Sequence, residues 1–273
     1  MKRVASGQEA LPGLDLGRAT VVSPSALGTW RLCPRLYRFV YVDGLGKLSR
    51  TGPEQAFGLS VHAALRDFFR LPVHERSQQA LLACWRRAFV RDGYPDRQAR
   101  ERARTRGAEA LAAWYDRSDT QLVPYATELG LQAAFGEVVL KGRLDRLDPD
   151  PGGGLVVVDY KTGMRAASQD AADADEALTV YAALAERRLG RPVTRLVLDY
   201  VVAGTQVVTE RPRAALAERL EQVLAAAGAL HADRDFPPRP GPWCASCDFL
   251  RRCPEGRRQV AEQQGGADAI RLD

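Results

Sequence analysis

At Glu128 the spacing of apolar residues changes from helical to alternating, and a fold of helices alone or strands alone cannot absorb that change. Before it, stretches near 54–71, 75–92 and 97–117 carry apolar residues at helical intervals, such as Ala64, Leu65, Phe68 and Phe69. Ser23-Pro24 reads as an N-cap with proline at the first helical position, and Pro34 interrupts that helix and leaves Cys33 at its end. After Glu128 come ELGLQAAF, EVVLKGRLD, a turn at PDPGGG, and LVVVDYK, which predict strands and a hairpin. Residues 173–189 return to a helix, RLVLDYVVAG and TQVVTE predict a second strand pair, and ALAERLEQVLAAAGALHA a further helix. The expected organisation is α/β. A flexible leader (1–22) precedes one domain over 23–258, made of a helical part (about 23–118), a sheet core (about 119–235) and a cysteine-bearing, Pro-rich segment (236–258). A tail follows from 259 to 273.

Composition narrows the class. With 45% hydrophobic and 27% charged residues among 273, the chain is neither a low-complexity polymer nor collagen-like, and it is long enough to bury a core. It has no apolar run of membrane-spanning length, and MKRVASGQEALPGLDLG lacks the apolar stretch of a secretory signal, so a cytoplasmic protein without a membrane association is expected. Such a setting keeps thiols reduced, so the five cysteines are not expected to form disulfides and four of them are candidate metal ligands. The net charge of +5 is compatible with nucleic acid. Only Lys2, Lys47, Lys141 and Lys161 are lysines, so the arginine excess looks like codon bias and position matters more than count. No G-x-x-x-x-G-K-[ST] phosphate loop is present, which argues against a nucleotide-driven motor.

The hairpin carries the chemistry. Alternation puts Asp159 and Lys161 on one face of LVVVDYK and Tyr160 on the other, while Lys141, Arg143 and Asp145 share a face of the preceding strand. If the turn centres on Gly152, Asp145 and Asp159 are each seven residues from it and lie opposite one another. Their Cβ atoms would then be roughly 5 Å apart, an arrangement that destabilises unless something positive stands between them. A hard divalent cation meets that need, and Lys161 would point at the same place, able to position water or stabilise charge on phosphoryl oxygens.

GRLDRLD followed by VVVDYKTG resembles the signature of the PD-(D/E)XK nuclease superfamily, in particular its RecB-like branch with AddB-like and CRISPR-associated exonucleases. Gly58-Leu-Ser-Val-His62 is similar to that family's G-x-x-x-H helix, and Ala177-Leu-Thr-Val-Tyr181 to its Q-x-x-x-Y helix, with the tyrosine kept and the glutamine replaced by alanine. The likeness spans roughly residues 23–255. It implies a restriction-endonuclease-like core, a central mixed sheet flanked by helices, and a DNA nuclease of repair or recombination, by analogy an exonuclease. It further implies Mg²⁺ or Mn²⁺ held by His62, Asp145 and Asp159, with Lys161 and Tyr181 completing the catalytic set. Glu128 is open between approach to the metal and an exposed strand carboxylate. Single-stranded DNA or duplex ends would be the substrate, with a separate helicase as a conceivable partner. The contrasting reading is a catalytically silent DNA-binding or assembly module, for which Ala177 is the one argument.

Cys244-Ala-Ser-Cys247 and Cys253, with Cys33 as a fourth thiolate, suit either a [4Fe-4S] cluster or structural Zn²⁺ by spacing alone. The resemblance selects the iron-sulfur cluster, which in such relatives staples the chain ends and supports DNA binding rather than hydrolysis. Cys84, within a helical pattern, reads as a core thiol. Arg31, Arg35 and Arg38 flank Cys33, and Arg251, Arg252, Arg257 and Arg258 flank Cys253. These suggest a phosphate-following patch with Trp30, Tyr37 or Trp243 stacking bases. Arg97, Arg100, Arg102, Arg104 and Arg106 read instead as a solvated helix face.

Overall fold

The computed structural model describes residues 20–48 and 51–269. It opens on a short strand, β1 (Thr20–Val22), within what the sequence reading assigned to a flexible leader; residues 1–19 lie outside the described part. Three residues are too few to show alternation, and this strand exists because a later strand offers a parallel edge and Val22 is 1% exposed among Leu27 and Leu140. Helix α1 (Pro24–Leu32) begins as expected, with the Ser23 hydroxyl accepting from the Ala26 amide at 3.2 Å and proline at the first position. It stops at Cys33, whose extended backbone precedes Pro34 at the start of α2 (Pro34–Tyr37).

Helices α3 (Pro53–Phe69), α4 (Gln78–Ala88) and α5 (Arg97–Arg117) fill the expected helical region. Ser77 caps α4 through Ala80 and Asp96 caps α5 through Ala99. Where α4 crosses α5, a Cβ on Gly107 would overlap the Trp85 indole. Gly107→Ala is therefore expected to destabilise the protein by about 1–3 kcal/mol, seen as a lower urea midpoint with unchanged slope.

The second half alternates strands and helices: β2 (Ala126–Phe135), β3 (Val138–Pro149), β4 (Leu155–Lys161), α6 (Gln169–Asp173), α7 (Glu176–Leu189), β5 (Val193–Tyr200), β6 (Thr205–Thr209) and α8 (Arg213–Ala232). Helix α9 (Pro254–Ala269) continues into what was expected to be a tail, and residues 270–273 lie outside the described part. Among the described residues no helix is long and apolar enough to cross a membrane.

All six strands form one mixed sheet. Strand β3 pairs antiparallel with β2 along nearly its whole length, so its other edge must serve both remaining partners: β1 at Val138–Leu140 and β4 at Arg146–Pro149. Residues 141–145 fall between them, where that edge of the sheet forks. Strand β4 also pairs in parallel with β5, and β5 antiparallel with β6.

One face packs Val156, Val158, Tyr160 and Val197 under α3, α4 and α5. The other packs Leu147, Leu155, Val157, Leu196 and Leu198 under α6 and α7. A strand covered on both sides reads as a continuous apolar run rather than an alternation, which explains LVVV. The expected mixed sheet flanked by helices is what the chain forms.

Candidate active site

The fork collects three carboxylates. Register pairs Thr127 with Arg146 and Leu129 with Leu144, so Glu128 stands opposite Asp145. On the other side Arg146 pairs with Val158, which puts Asp159 next across from Asp145, as the hairpin arithmetic expected. The Glu128–Asp145 pair is itself missing from the ladder, and Glu128 has φ 50, a left-handed conformation that costs a non-glycine residue about 1–2 kcal/mol. Two like charges directly opposite destabilise a sheet, and the interruption falls where they would meet.

Asp145 is held from two sides. Its Oδ2 accepts from the Tyr160 amide at 2.9 Å, and its Oδ1 lies 3.1 Å from His62 Nδ1. His62 comes from α3, which passes close to the end of β4 one turn earlier, at Gly58; a Cβ on Gly58 would stand in ordinary contact with Thr162 Oγ1, at 3.5 Å. The imidazole meets Tyr160 edge-on at 6.0 Å. Beyond Asp145, Lys161 Nζ lies 2.7 Å from Asp159 Oδ2, and Asp159 is 7% exposed. From α7, Tyr181 covers Gly142, where a Cβ would come within 2.8 Å of its ring. Ala177, half-buried in the first turn of α7, brings no polar side chain there.

Crowding shows in the ionisation of these groups. Burial, reinforced by the Asp145 charge, pushes Asp159 up to about 6 against the pull of Lys161 and His62. Glu128 is raised by burial and then by Asp145. Burial works to lower His62, but its hydrogen bond to Asp145 and the charges of Asp145, Asp159 and Glu128 outweigh it and the imidazole is raised. Lys161 is likewise raised, Asp159 outweighing burial. The Tyr181 hydroxyl is raised by burial and by the carboxylates around it.

Asp159 therefore has a stability signature. Its folded value of about 6 exceeds the ordinary 3.8, so without metal it destabilises above both values, and the penalty fades as pH falls toward 4. Asp159→Asn in EDTA is expected to melt a few degrees higher than the parent chain at about pH 7.5, with the gap closing by about pH 4.

Among the described residues, the set whose ligand atoms all lie within 4.8 Å of one another is His62, Glu128 and Asp145. The sequence grouped His62 and Asp145 with Asp159 and left Glu128 open; the structure places Glu128 with His62 and Asp145, and Asp159 next across from Asp145 with Lys161 beside it. The signal was available, since Glu128 and Asp145 are equidistant from the Gly136–Glu137 turn just as Asp145 and Asp159 are from Gly152. One imidazole among carboxylates is a donor set that hard divalent cations such as Mg²⁺ and Mn²⁺ accept.

The four cysteines singled out for a second centre line one cavity: Cys33 from the α1–α2 junction, and Cys244, Cys247 and Cys253 from the Pro-rich segment. Three of the sulfurs accept a backbone amide hydrogen bond. Arg239 donates to Cys33, Gly241 to Cys244 and Gly256 to Cys253, each at 3.4 Å. Gly256 sits against two of them, where a Cβ would make ordinary contact with Cys253 and Cys244 at 3.5 and 3.6 Å. Among the described residues, no three of these sulfurs lie within 4.8 Å of one another. A tetrahedral Zn²⁺ with bonds of about 2.3 Å would need sulfurs about 3.8 Å apart. Cys84 is buried in the core, as expected.

The aromatic candidates near these cysteines are already engaged. Tyr37 is stacked between Tyr41 and Phe236, the Trp30 indole donates to Asp233, and that of Trp243 donates to Arg239 O. Arg31 is bonded to Glu176, Arg35 to Phe236 O and Arg38 to Asp43.

A search of curated proteins finds no match. Among solved structures, the chain is similar to the crystal structure of a protein named a "putative exonuclease" from Eubacterium rectale. The two share 12% identity over 85% of this chain and 88% of that one, with a TM-score of 0.52. The crystal structure of SSO0001 aligns over 86% of each chain at 15% identity, but its TM-score of 0.38 supports no argument. The family model of the PD-(D/E)XK nuclease superfamily matches residues 21–254, a span that takes in the fork, its carboxylates and the four cysteines. With that match over most of its length and a restriction-endonuclease-like mixed sheet carrying the acidic site, the chain belongs to the PD-(D/E)XK nuclease superfamily.

Proposed function

We propose that this nuclease hydrolyses phosphodiester bonds of DNA from an end, in repair or recombination, and that it belongs to the RecB-like, AddB-like branch of its superfamily. The observation that carries the reading is the Glu128–Asp145–Asp159 row with His62 on one side and Lys161 on the other. His62, Asp145 and Asp159, joined by Glu128, would hold Mg²⁺ or Mn²⁺. Such an ion supplies polarisation of a phosphoryl oxygen and a more acidic bound water.

The chain's own groups do the rest. The Tyr160 amide fixes the Asp145 carboxylate, and Asp145 fixes the His62 ring, so neither reorganises when substrate arrives. Asp159 keeps the Lys161 ammonium charged and aimed along the cleft, where it donates hydrogen bonds to non-bridging oxygens as negative charge builds. Tyr181 walls the cleft over Gly142 and limits water.

The four thiolates hold a [4Fe-4S] cluster in this reading. The support is their spread beyond a zinc tetrahedron and the amide donors to three of the sulfurs, the hydrogen bonding that tunes iron-sulfur centres. Anaerobically purified protein incubated with end-labelled single-stranded and duplex DNA tests the activity. Degradation is expected with Mg²⁺ or Mn²⁺ and none with EDTA, as a ladder shortening from one end. Intact, cluster-loaded protein that binds DNA but never cuts it would overturn the catalytic reading in favour of an assembly module.

A further inference from the structure

Positive charge is segregated in this chain. Between residues 86 and 106 stand eight arginines and three acidic residues, a balance of +5. The whole chain carries 39 basic and 34 acidic residues, also +5, so everything outside this stretch sums to 31 against 31. Codon bias raises the number of arginines but does not gather the entire excess at the end of α4, the loop after it and the first half of α5.

The fold does little to neutralise them. Arg104 pairs with Glu101, and Arg106 pairs with Glu54 at 3.3 Å while lying over the Phe57 ring. Arg86, Arg91, Arg97 and Arg102 are exposed and make no ion pair among the described residues. Arg100 and Arg104, and again Arg102 and Arg106, stand four apart on one helix, where like charges oppose helix formation. A helix needed only for support would not collect them.

The location matters. Gly93, in the loop between α4 and α5, packs against Thr51 O and Gly52 O at the start of α3, and Arg106 reaches Glu54 in its first turn. One turn further along α3, Gly58 meets Thr162, which follows Lys161. The arginine surface thus begins beside the mouth of the carboxylate cleft. From Arg97 to Arg106 it runs about 14 Å, a length along which duplex DNA presents about eight phosphates. The cleft bears Glu128, Asp145, Asp159 and Asp175 and repels phosphates of its own accord, so purchase on a polyanion must come from outside it.

We propose that the α4–α5 arginine surface is the track that holds the phosphate backbone of DNA leading to the cleft, replacing the solvated face suggested by the sequence. This rests on the nuclease reading for what happens in the cleft, but not for the binding itself.

The test is fluorescence anisotropy of a labelled 30-nucleotide single strand in EDTA, titrated with the full chain across a salt series. In Arg91→Ala/Arg97→Ala/Arg102→Ala, the slope of log Kd against log salt is expected to fall by about 2, and affinity near 0.1 M salt by roughly 10- to 100-fold. Arg187→Ala/Arg213→Ala/Arg234→Ala, three exposed arginines elsewhere, should change neither. Matching thermal melts show that both variants fold. Unchanged binding in the first variant, or an equal loss in the second, overturns the track. Track-dependent binding by a protein that cuts nothing with any metal would leave the track standing and remove the hydrolytic reading.

Discussion

Lys161→Ala is expected to slow DNA cleavage by about 10²- to 10⁴-fold at saturating Mg²⁺, with KM nearly unchanged, because its ammonium acts on charge that exists only as the bond breaks. Lys161 lies 2.7 Å from Asp159, so the same change leaves a buried carboxylate without its counter-ion. Asp159, already raised, takes up a proton more readily in the variant, and the variant is therefore less stable at neutral pH than in mild acid. The two consequences separate experimentally. Single-turnover rates well below the melting temperature report the chemistry, and thermal melts in EDTA against pH report the lost pairing. A variant that keeps a tenth or more of the parent rate would reduce Lys161 to a structural partner of Asp159.

Cys247→Ser is the second large effect. It is expected to abolish the broad absorbance near 400 nm of anaerobically purified protein and to destabilise the chain by about 3–5 kcal/mol or more, at least the cost of losing a native cross-link. Between Phe236 and Cys253 the side chains buried in the structure are few, chiefly Cys244 and Phe249, the latter 5.4 Å from Phe39. Without the metal centre, the remaining ties include that ring contact, the stacking of Phe236 on Tyr37 and hydrogen bonds such as Arg35 to Phe236 O. Limited proteolysis should then cut first within 236–258 while the sheet core resists. A colourless protein carrying one equivalent of zinc, and losing it in the variant, would replace the iron-sulfur assignment.

What the sequence made legible was whatever depends on neighbours along the chain. Ser23 capping α1, the break at Pro34, and the opposition of Asp145 and Asp159 about Gly152 are local facts, and each stands in the structure. What stayed hidden depends on distant partners. Thr20–Val22 becomes a strand only because Val138–Leu140 presents an edge to it. Glu128, which the sequence left open, joins His62 and Asp145 from a backbone conformation that no propensity assigns to glutamate. Tyr37 looked available for bases and is sandwiched by Tyr41 and Phe236, one of them about two hundred residues away.

The four tryptophans divide between two places. Trp85 of α4 and Trp114 of α5 are sealed in the core, whereas Trp243 lines the thiol cavity and Trp30, one turn before Cys33, bonds to Asp233. Light emitted by the second pair falls where an assembled chromophoric centre would absorb it, and light from the first pair reports the body of the protein. Intrinsic fluorescence thus separates a chain that has lost its staple from one that has unfolded, without any added label.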